Sequence, residues 1–349
     1  MLAVTFADLW FRARQFLIAV VGVGLVLGLA LALSGLADGF HAEVAESIDA
    51  VGATSWVMSE AAQGRVTAFA AFSAADQRVV AHEPGVRKAS AILFAPAQVA
   101  RLAGSQQPIS VHLFGVQRGG LGDPQVTSGR ALAGGNQVVV DSKVAPLGSV
   151  LIIGGHRYDV VGTVDNRTLT GGVPLVYMTL AAAQQAVVGG RPLITGLATI
   201  GTPSAVPAGL VVLSPPAVVT DTVGQLQSGV QSIDNSRSLM WLIAAAIVAS
   251  MLYVAALERK RDFAVLKALG ASSRTLFLSL VLESVVVTLL AAVLAEILAS
   301  FLTRTFAQPV DITLDARLVL PLIAVVVGVV ASITALRRVT GADPATAFG

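Results

Sequence analysis

Nucleophilic and metal chemistry have little to work with in this chain. Its 349 residues include no cysteine and four histidines, His41, His82, His112 and His156. No two histidines stand at metal-ligand spacing, and solvated domain residues explain all of them. Without cysteine there is no disulfide, thiol nucleophile or Cys-based metal site. No Gly-x-x-x-x-Gly-Lys-Ser/Thr loop exists, so the chain does not bind ATP in the P-loop manner. Gly22-x-Gly24-x-x-x-Gly28 lacks the third glycine of a dinucleotide fingerprint and lies within an apolar run. The sequence therefore predicts a chain with no catalytic set, no cofactor and no metal of its own. Two acids stand out, Glu283 and Glu296, because both fall inside a long apolar stretch. Ionisable groups within a membrane face protein or water and are functional candidates by default. At ~100° per helical residue they lie roughly 220° apart and share no face. A proton relay would need further acids or histidines in the other apolar runs, and none are there. A carboxyl hydrogen-bonded to neighbouring helices is the structural alternative.

These acids must be held by membrane helices. A hydrophobic fraction of 55% with 13% charged residues is far from a soluble average. The net charge of +2 comes with no basic stripe interleaved with aromatics, which argues against nucleic acid as a partner. Four apolar segments predict transmembrane helices at residues 16–36, 239–257, 276–303 and 317–336. Gly24, Gly28 and Ala32 form a small-xxx-small ridge suited to close helix packing. Basic residues fix the orientation: Arg12 and Arg14, then Arg259, Lys260, Arg261, Lys267 and Arg274, then Arg337 and Arg338. The positive-inside rule puts these segments in the cytoplasm. It follows that residues 1–15 and the tail 337–349 are cytoplasmic, 258–275 is a cytoplasmic loop and 304–316 is a short outer loop. The expected fold is an α-helical membrane protein with four transmembrane helices. A large α+β extracytoplasmic domain, residues 37–238, is inserted between the first and second.

That domain carries dense turn signals, among them Gly134-Gly135-Asn136, Gly171-Gly172 and Pro215-Pro216. Between them lie short β-rich runs at 109–116, 137–141, 150–153, 158–164 and 173–178, with helices at 74–82 and 180–188. At its two ends the pattern is helical. Phe40, Val44, Ile48 and Val51 continue the first span as an amphipathic helix, with Asp38, Glu43, Glu46 and Asp49 on the other side. Val219, Val223, Leu226, Val230, Ile233 and Met240 read as a coiled-coil seam entering the second span. Segments 37–51 and 217–238 are thus expected to form a paired stalk; the alternative is two unrelated helices packed on the domain.

The loop between the second and third spans reads Glu258-Arg-Lys-Arg-Asp-Phe-Ala-Val-Leu-Lys-Ala-Leu-Gly-Ala-Ser-Ser-Arg274. Phe263, Leu266 and Leu269 recur at helical spacing and Gly270 offers a stop. On physics alone this is an amphipathic helix at the inner membrane surface. The segment also resembles the pattern that follows the second membrane helix in FtsX-like/MacB-type permeases of ABC transporters. Residues 129–162 resemble the β-rich part of the MacB-type periplasmic domain.

The resemblance implies that 258–275 is the coupling helix that docks on a separate ATPase, through Arg259, Arg261, Phe263, Leu266, Leu269 and Gly270. It implies a non-catalytic permease subunit of the mechanotransmission type, with ATP and Mg held by the partner. A second copy or a homologous permease would complete the assembly in the bacterial cytoplasmic membrane. An extracytoplasmic substrate-handling or cell-wall protein is a further partner the family allows. Family substrates are lipids, lipoproteins, peptides or drug-like molecules. Glu283 matches a glutamate found early in the third helix of such permeases, and Glu296 has no such counterpart. An FtsX-like regulator that drives a cell-wall hydrolase without transport is the alternative. A membrane-anchored binding protein is a third reading, but it would not need the coupling segment.

Overall fold

A computed structural model describes residues 13–101, 107–225, 227–258, 273–303 and 310–340. The chain divides into two compact units, Phe40–Ser228 and the pair of segments Met1–Gly39 and Gly229–Gly349. In chain order the first part of the fold runs α1 (Ala13–Asp49), β1 (Ser55–Ser59), β2 (Phe72–Ser73), α2 (Asp76–Ala81), β3 (Lys88–Arg101), β4 (Ile109–Val116), β5 (Ser128–Gly129) and β6 (Gln137–Asp141). It continues with β7 (Val150–Ile153), β8 (His156–Val164), β9 (Thr168–Leu169), β10 (Val173–Thr179), α3 (Leu180–Val188), β11 (Leu193–Ile194), β12 (Gly196–Ile200), β13 (Leu210–Leu213) and α4 (Pro215–Gly224). The remaining helices are α5 (Gln227–Glu258), α6 (Ser273–Leu302) and α7 (Leu314–Thr340).

Within the unit Phe40–Ser228, strands pair in a closed circuit. β3 pairs with β4, β4 with β10, β10 with β6, β6 with β8, β8 with β7, and β7 again with β3. The circuit closes the sheet into a barrel, apart from the stretch of β3 between its β12 and β7 pairings. Strand alternation then decides what each residue faces. Leu93, Leu113, Val176, Val138, Val160 and Leu151, one from each strand, share a buried inner cluster. Their neighbours Phe94, Phe114, Tyr177, Val139 and Val161 belong to a second cluster on the other face, with Trp56, Met58 and the α1 residues Val44, Ile48 and Val51. The Phe94, Phe114 and Tyr177 rings stack edge-on across three adjacent strands, with centroids 6.2 and 5.5 Å apart. α3 is capped by Thr179, whose side chain accepts from the Ala182 amide, and stopped by Gly189 at φ 64°. Its Ala183 packs where Gly115 leaves room on β4.

β3 was not legible as a strand. It is 14 residues long, rich in alanine and contains Pro96, all of which argue against a strand. Its pairings resolve the conflict. On one side β4 pairs with residues 93–99, while on the other β12 pairs only with 88–92 and β7 only with 99–101. The Phe94 amide points away from β4 to Thr195 Oγ1 at 2.8 Å. Pro96, two residues on, directs its nitrogen to that same side, into the gap between β12 and β7. The missing N–H has no ladder bond to lose.

The other unit is helical. Val23, Leu27 and Leu31 of α1, Ala244 and Val248 of α5, Ala291, Ala295 and Ala299 of α6, and Leu320 and Ala324 of α7 bury one another. Among the described residues two helices, Phe16–Asp49 and Val281–Leu302, are long and apolar enough to cross a membrane. Their outward faces carry large exposed apolar side chains, including Leu17, Ile18, Leu25, Val293, Ile297 and Phe301, as a lipid-facing surface requires.

Candidate functional site

The base of α1 is held to the barrel unit by polar contacts as well as by its apolar stripe. Glu43 is 6% exposed. Its carboxylate accepts from the Gly172 amide at 2.7 Å and the Gly171 amide at 2.8 Å. One turn on, Ser47 Oγ donates to the Thr168 carbonyl at 2.7 Å. Arg167 Nη1 reaches Glu46 Oε1 at 3.1 Å. Helical spacing of four between Glu43 and Ser47 stacks both on one side of α1, beside Val44 and Ile48.

The loop that receives these side chains is built for the purpose. Thr170, Gly171 and Gly172 take φ of 55°, 87° and 81° in succession. Such a run turns adjacent amides toward one point and makes an anion-binding concavity. Thr170 is the strained member, since it carries a Cβ in the left-handed region. His112 supports it, with Nε2 2.9 Å from Thr170 Oγ1 and its ring 4.9 Å from that of Phe94. Burial lowers the His112 pKa from 6.5 to about 4, with a Leu169 backbone contact pulling the other way. The ring is therefore neutral at physiological pH. This corrects the expectation of a solvated histidine, because position 112 lies on β4 opposite Pro96 and Leu175. His41, His82 and His156 are exposed.

The far side of the hairpin is fixed too. Buried Asp141 accepts from the Arg167 amide at 2.7 Å and the Lys143 amide at 2.9 Å. The Leu175 amide donates to the Arg167 carbonyl at 2.8 Å. β10 then runs between β4 and β6 in the barrel wall.

In the helical unit, Gly24 and Gly28 both meet α6. A Cβ on Gly24 would lie 2.9 Å from Leu294 Cδ2, and one on Gly28 would lie 3.1 Å from the Ala295 carbonyl oxygen. Glu283 is buried, as are Ser284 and Thr288, and it is at Ser284 and Thr288 that α6 approaches Gly328 of α7 closely. Glu296 has a different setting: it is partly exposed and pairs with Arg317 Nε at 3.3 Å. Arg237 donates to Ser34 Oγ at 2.9 Å, pairs with Asp234 and stacks over Trp241. Among the proposed seam residues, Val223 is buried in the cluster that holds Val44 and Ile48. Val230 and Ile233 are half-buried on α5, and α4 ends at Gly224 before α5 begins at Gln227. Leu226 lies outside the described residues, as do Arg259, Arg261, Phe263, Leu266, Leu269 and Gly270.

The MacB-like periplasmic core domain family matches residues 16–228, and the FtsX-like permease C-terminal family matches residues 238–344. The chain belongs to the FtsX-like/MacB-type family of ABC transporter permeases. Uncharacterized ABC transporter permeases of Mycobacterium tuberculosis and Mycobacterium bovis are 36% identical to it over 350 residues, covering 100% of this chain and 99% of theirs. The crystal structure of the periplasmic region of MacB from Actinobacillus actinomycetemcomitans is similar at a TM-score of 0.34 and 12% identity. It covers 53% of this chain and 97% of that one. This permease is thus a membrane component, and its relatives are permease subunits.

Sequence reasoning missed the Glu43 contacts. The sequence pattern places Glu43 on the polar side of an amphipathic helix and Gly171-Gly172 in a turn. The two sites are separated by 128 residues, so no local pattern links them.

Proposed function

We propose that this permease works by mechanotransmission. A separate ATPase binds ATP and Mg and closes on the coupling segment 258–275. That motion passes through membrane helices at 16–36, 239–257, 276–303 and 317–336 to the domain at 37–238. Two permease subunits, identical or homologous, act with two ATPases in the bacterial cytoplasmic membrane, both termini inside. The substrate is a lipid, lipoprotein, peptide or drug-like molecule handled outside the bilayer or at its outer leaflet. The observation that carries this reading is α1, a single helix of 37 residues. Its first part packs among the other long helices, and its last turns are hydrogen-bonded to the barrel unit. A continuous helix is stiff along its axis, so axial displacement at one end appears at the other.

Docking is the step to test. Phe263, Leu266 and Leu269 are assigned to an apolar groove on the ATPase, with the Arg259–Arg261 cluster at the lipid headgroups. Burying a leucine side chain is worth about 1.5–3 kcal/mol, so Leu266→Ala with Leu269→Ala should abolish docking while leaving the subunit inserted. The double variant is co-expressed with the ATPase, and complex recovery and ATP hydrolysis are measured in nanodiscs. Wild-type recovery with wild-type turnover would reject the docking role.

A further inference from the structure

We propose that Glu43, seated on the Gly171 and Gly172 amides, is the coupling residue that transfers movement of α1 to the barrel. This rests on the mechanotransmission reading and says where its force crosses from helix to strand.

The argument begins with what Glu43 is not needed for. Val44, Ile48 and Val51 already supply an apolar stripe that buries α1 against the domain. Apolar contact is non-directional, whereas a carboxylate bonded to two amides fixes both a position and a direction. A buried carboxylate is costly unless fully hydrogen-bonded. Here both oxygens are used, Oε1 by the Gly172 amide and Oε2 by the Gly171 amide. Hydrogen bonds weaken steeply with distance and angle. A shift of α1 by one residue, about 1.5 Å, would break both unless the hairpin moves with it.

The receiving loop is equally specific. Three successive residues hold positive φ, one of them a threonine, and the Gly171 and Gly172 amides of this tight hairpin both point to the one carboxylate. Ser47 to the Thr168 carbonyl and Glu46 to Arg167 grip the same hairpin from the next turns of α1. Asp141 holds the Arg167 amide from the barrel side. From Val173 the chain enters β10, which pairs with β4 from Leu175 to Thr179 and with β6 from Val176 to Met178. A pull on the hairpin therefore loads the barrel wall, whereas the covalent link from α1 to β1 leads into the open part of the sheet.

Hydrogen exchange with mass spectrometry on the permease–ATPase complex in nanodiscs tests this. The complex is compared without nucleotide and with ATP, Mg and vanadate. In wild type, nucleotide should change exchange in peptides covering 165–179. Glu43→Ala should raise exchange at Gly171 and Gly172 by about tenfold or more, the effect of losing charge-assisted hydrogen bonds. It should also lose the nucleotide response of 165–179 while ATP hydrolysis and the response of 258–275 persist. Glu43→Gln, which keeps one acceptor, should retain an intermediate response and guards against misfolding of the alanine variant. The absence of cysteine permits a covalent substitute: a bis-maleimide bridge between Glu46→Cys and Arg167→Cys should restore the response in Glu43→Ala. A wild-type response in Glu43→Ala, or a bridge that restores nothing, would overturn the coupling role alone. No nucleotide response of 165–179 in wild type would instead overturn mechanotransmission.

Discussion

His112 and Glu43 meet the same hairpin loop, one through the Thr170 hydroxyl and the other through the next two amides. Their chemistry differs in its response to acid. Above pH 6.5 both the folded and unfolded chains hold the imidazole neutral, and His112 adds nothing to the pH dependence. As pH falls below 6.5 the unfolded chain takes up a proton that the folded site refuses until about pH 4. Stability is therefore lost across that window and levels off below it, by about 3 kcal/mol at the acid limit. His112→Phe keeps an aromatic ring beside Phe94 and removes the titrating group, so its destabilisation between pH 7 and pH 4.5 should be smaller by about 2.5 kcal/mol. The check is urea denaturation of the full chain at pH 7 and pH 4.5, followed by fluorescence of buried Trp56 with Trp10 and Trp241 replaced by Phe. Equal pH dependence in the two proteins would show that the ring is not the group responsible. None of this was readable from position 112, because a histidine in a strand is buried or solvated according to which partner strands cover it.

The helices were the most legible elements, since a period of 3.6 shows in a single sequence. The spacing of Val44, Ile48 and Val51 marks the apolar side of α1, and they are buried in the domain cluster. The strands in the runs with strong turn signals, β4, β6, β7, β8 and β10, could be read too. β3 and β12 could not, because alanine, glycine and proline weaken the β pattern and long-range pairing overrides it. The small-residue ridge on α1 supports a test by contrast. A Cβ at Gly22 would meet nothing within 4 Å, whereas one at Gly28 would press on the Ala295 backbone at 3.1 and 3.3 Å. Gly22→Ala should be neutral or slightly stabilising, as a helix interior prefers alanine. Gly28→Leu must separate α1 from α6 and should cost about 1–3 kcal/mol. Thermal melts of the two variants in one detergent give the comparison. A Gly28→Leu melt that matches wild type would mean that α1 does not pack on α6 through this ridge.

At the scale of the whole molecule, orientation rests on charge. Arg12, Arg14, the five basic residues from Arg259 to Arg274, and Arg337 and Arg338 fall in three short segments. The segment between the third and fourth apolar runs has Arg304 and the bordering Arg317, and Arg317 is engaged with Glu296. Lysine and arginine resist transfer across the membrane, so segments rich in them remain in the cytoplasm. In the proposed topology the N-terminus is inside, α1 delivers Phe40–Ser228 outside, and α5 returns the chain to 258–275 inside. The Glu43 contacts gain their proposed role only in this arrangement, because the ATPase and the barrel must lie on opposite sides for α1 to carry anything between them. Single-cysteine labelling reads the topology directly, as the chain has no native thiol. Ser149 is exposed enough to react, lying half-buried at the turn before β7. A membrane-impermeant maleimide applied to intact spheroplasts should label Ser149→Cys and leave Ser272→Cys unlabelled until the membrane is permeabilised. Labelling of Ser272→Cys alone would invert the molecule and put the proposed ATPase contact on the wrong side of the membrane. Labelling of both without permeabilisation would remove the span between them, and with it any path from coupling segment to barrel through α5.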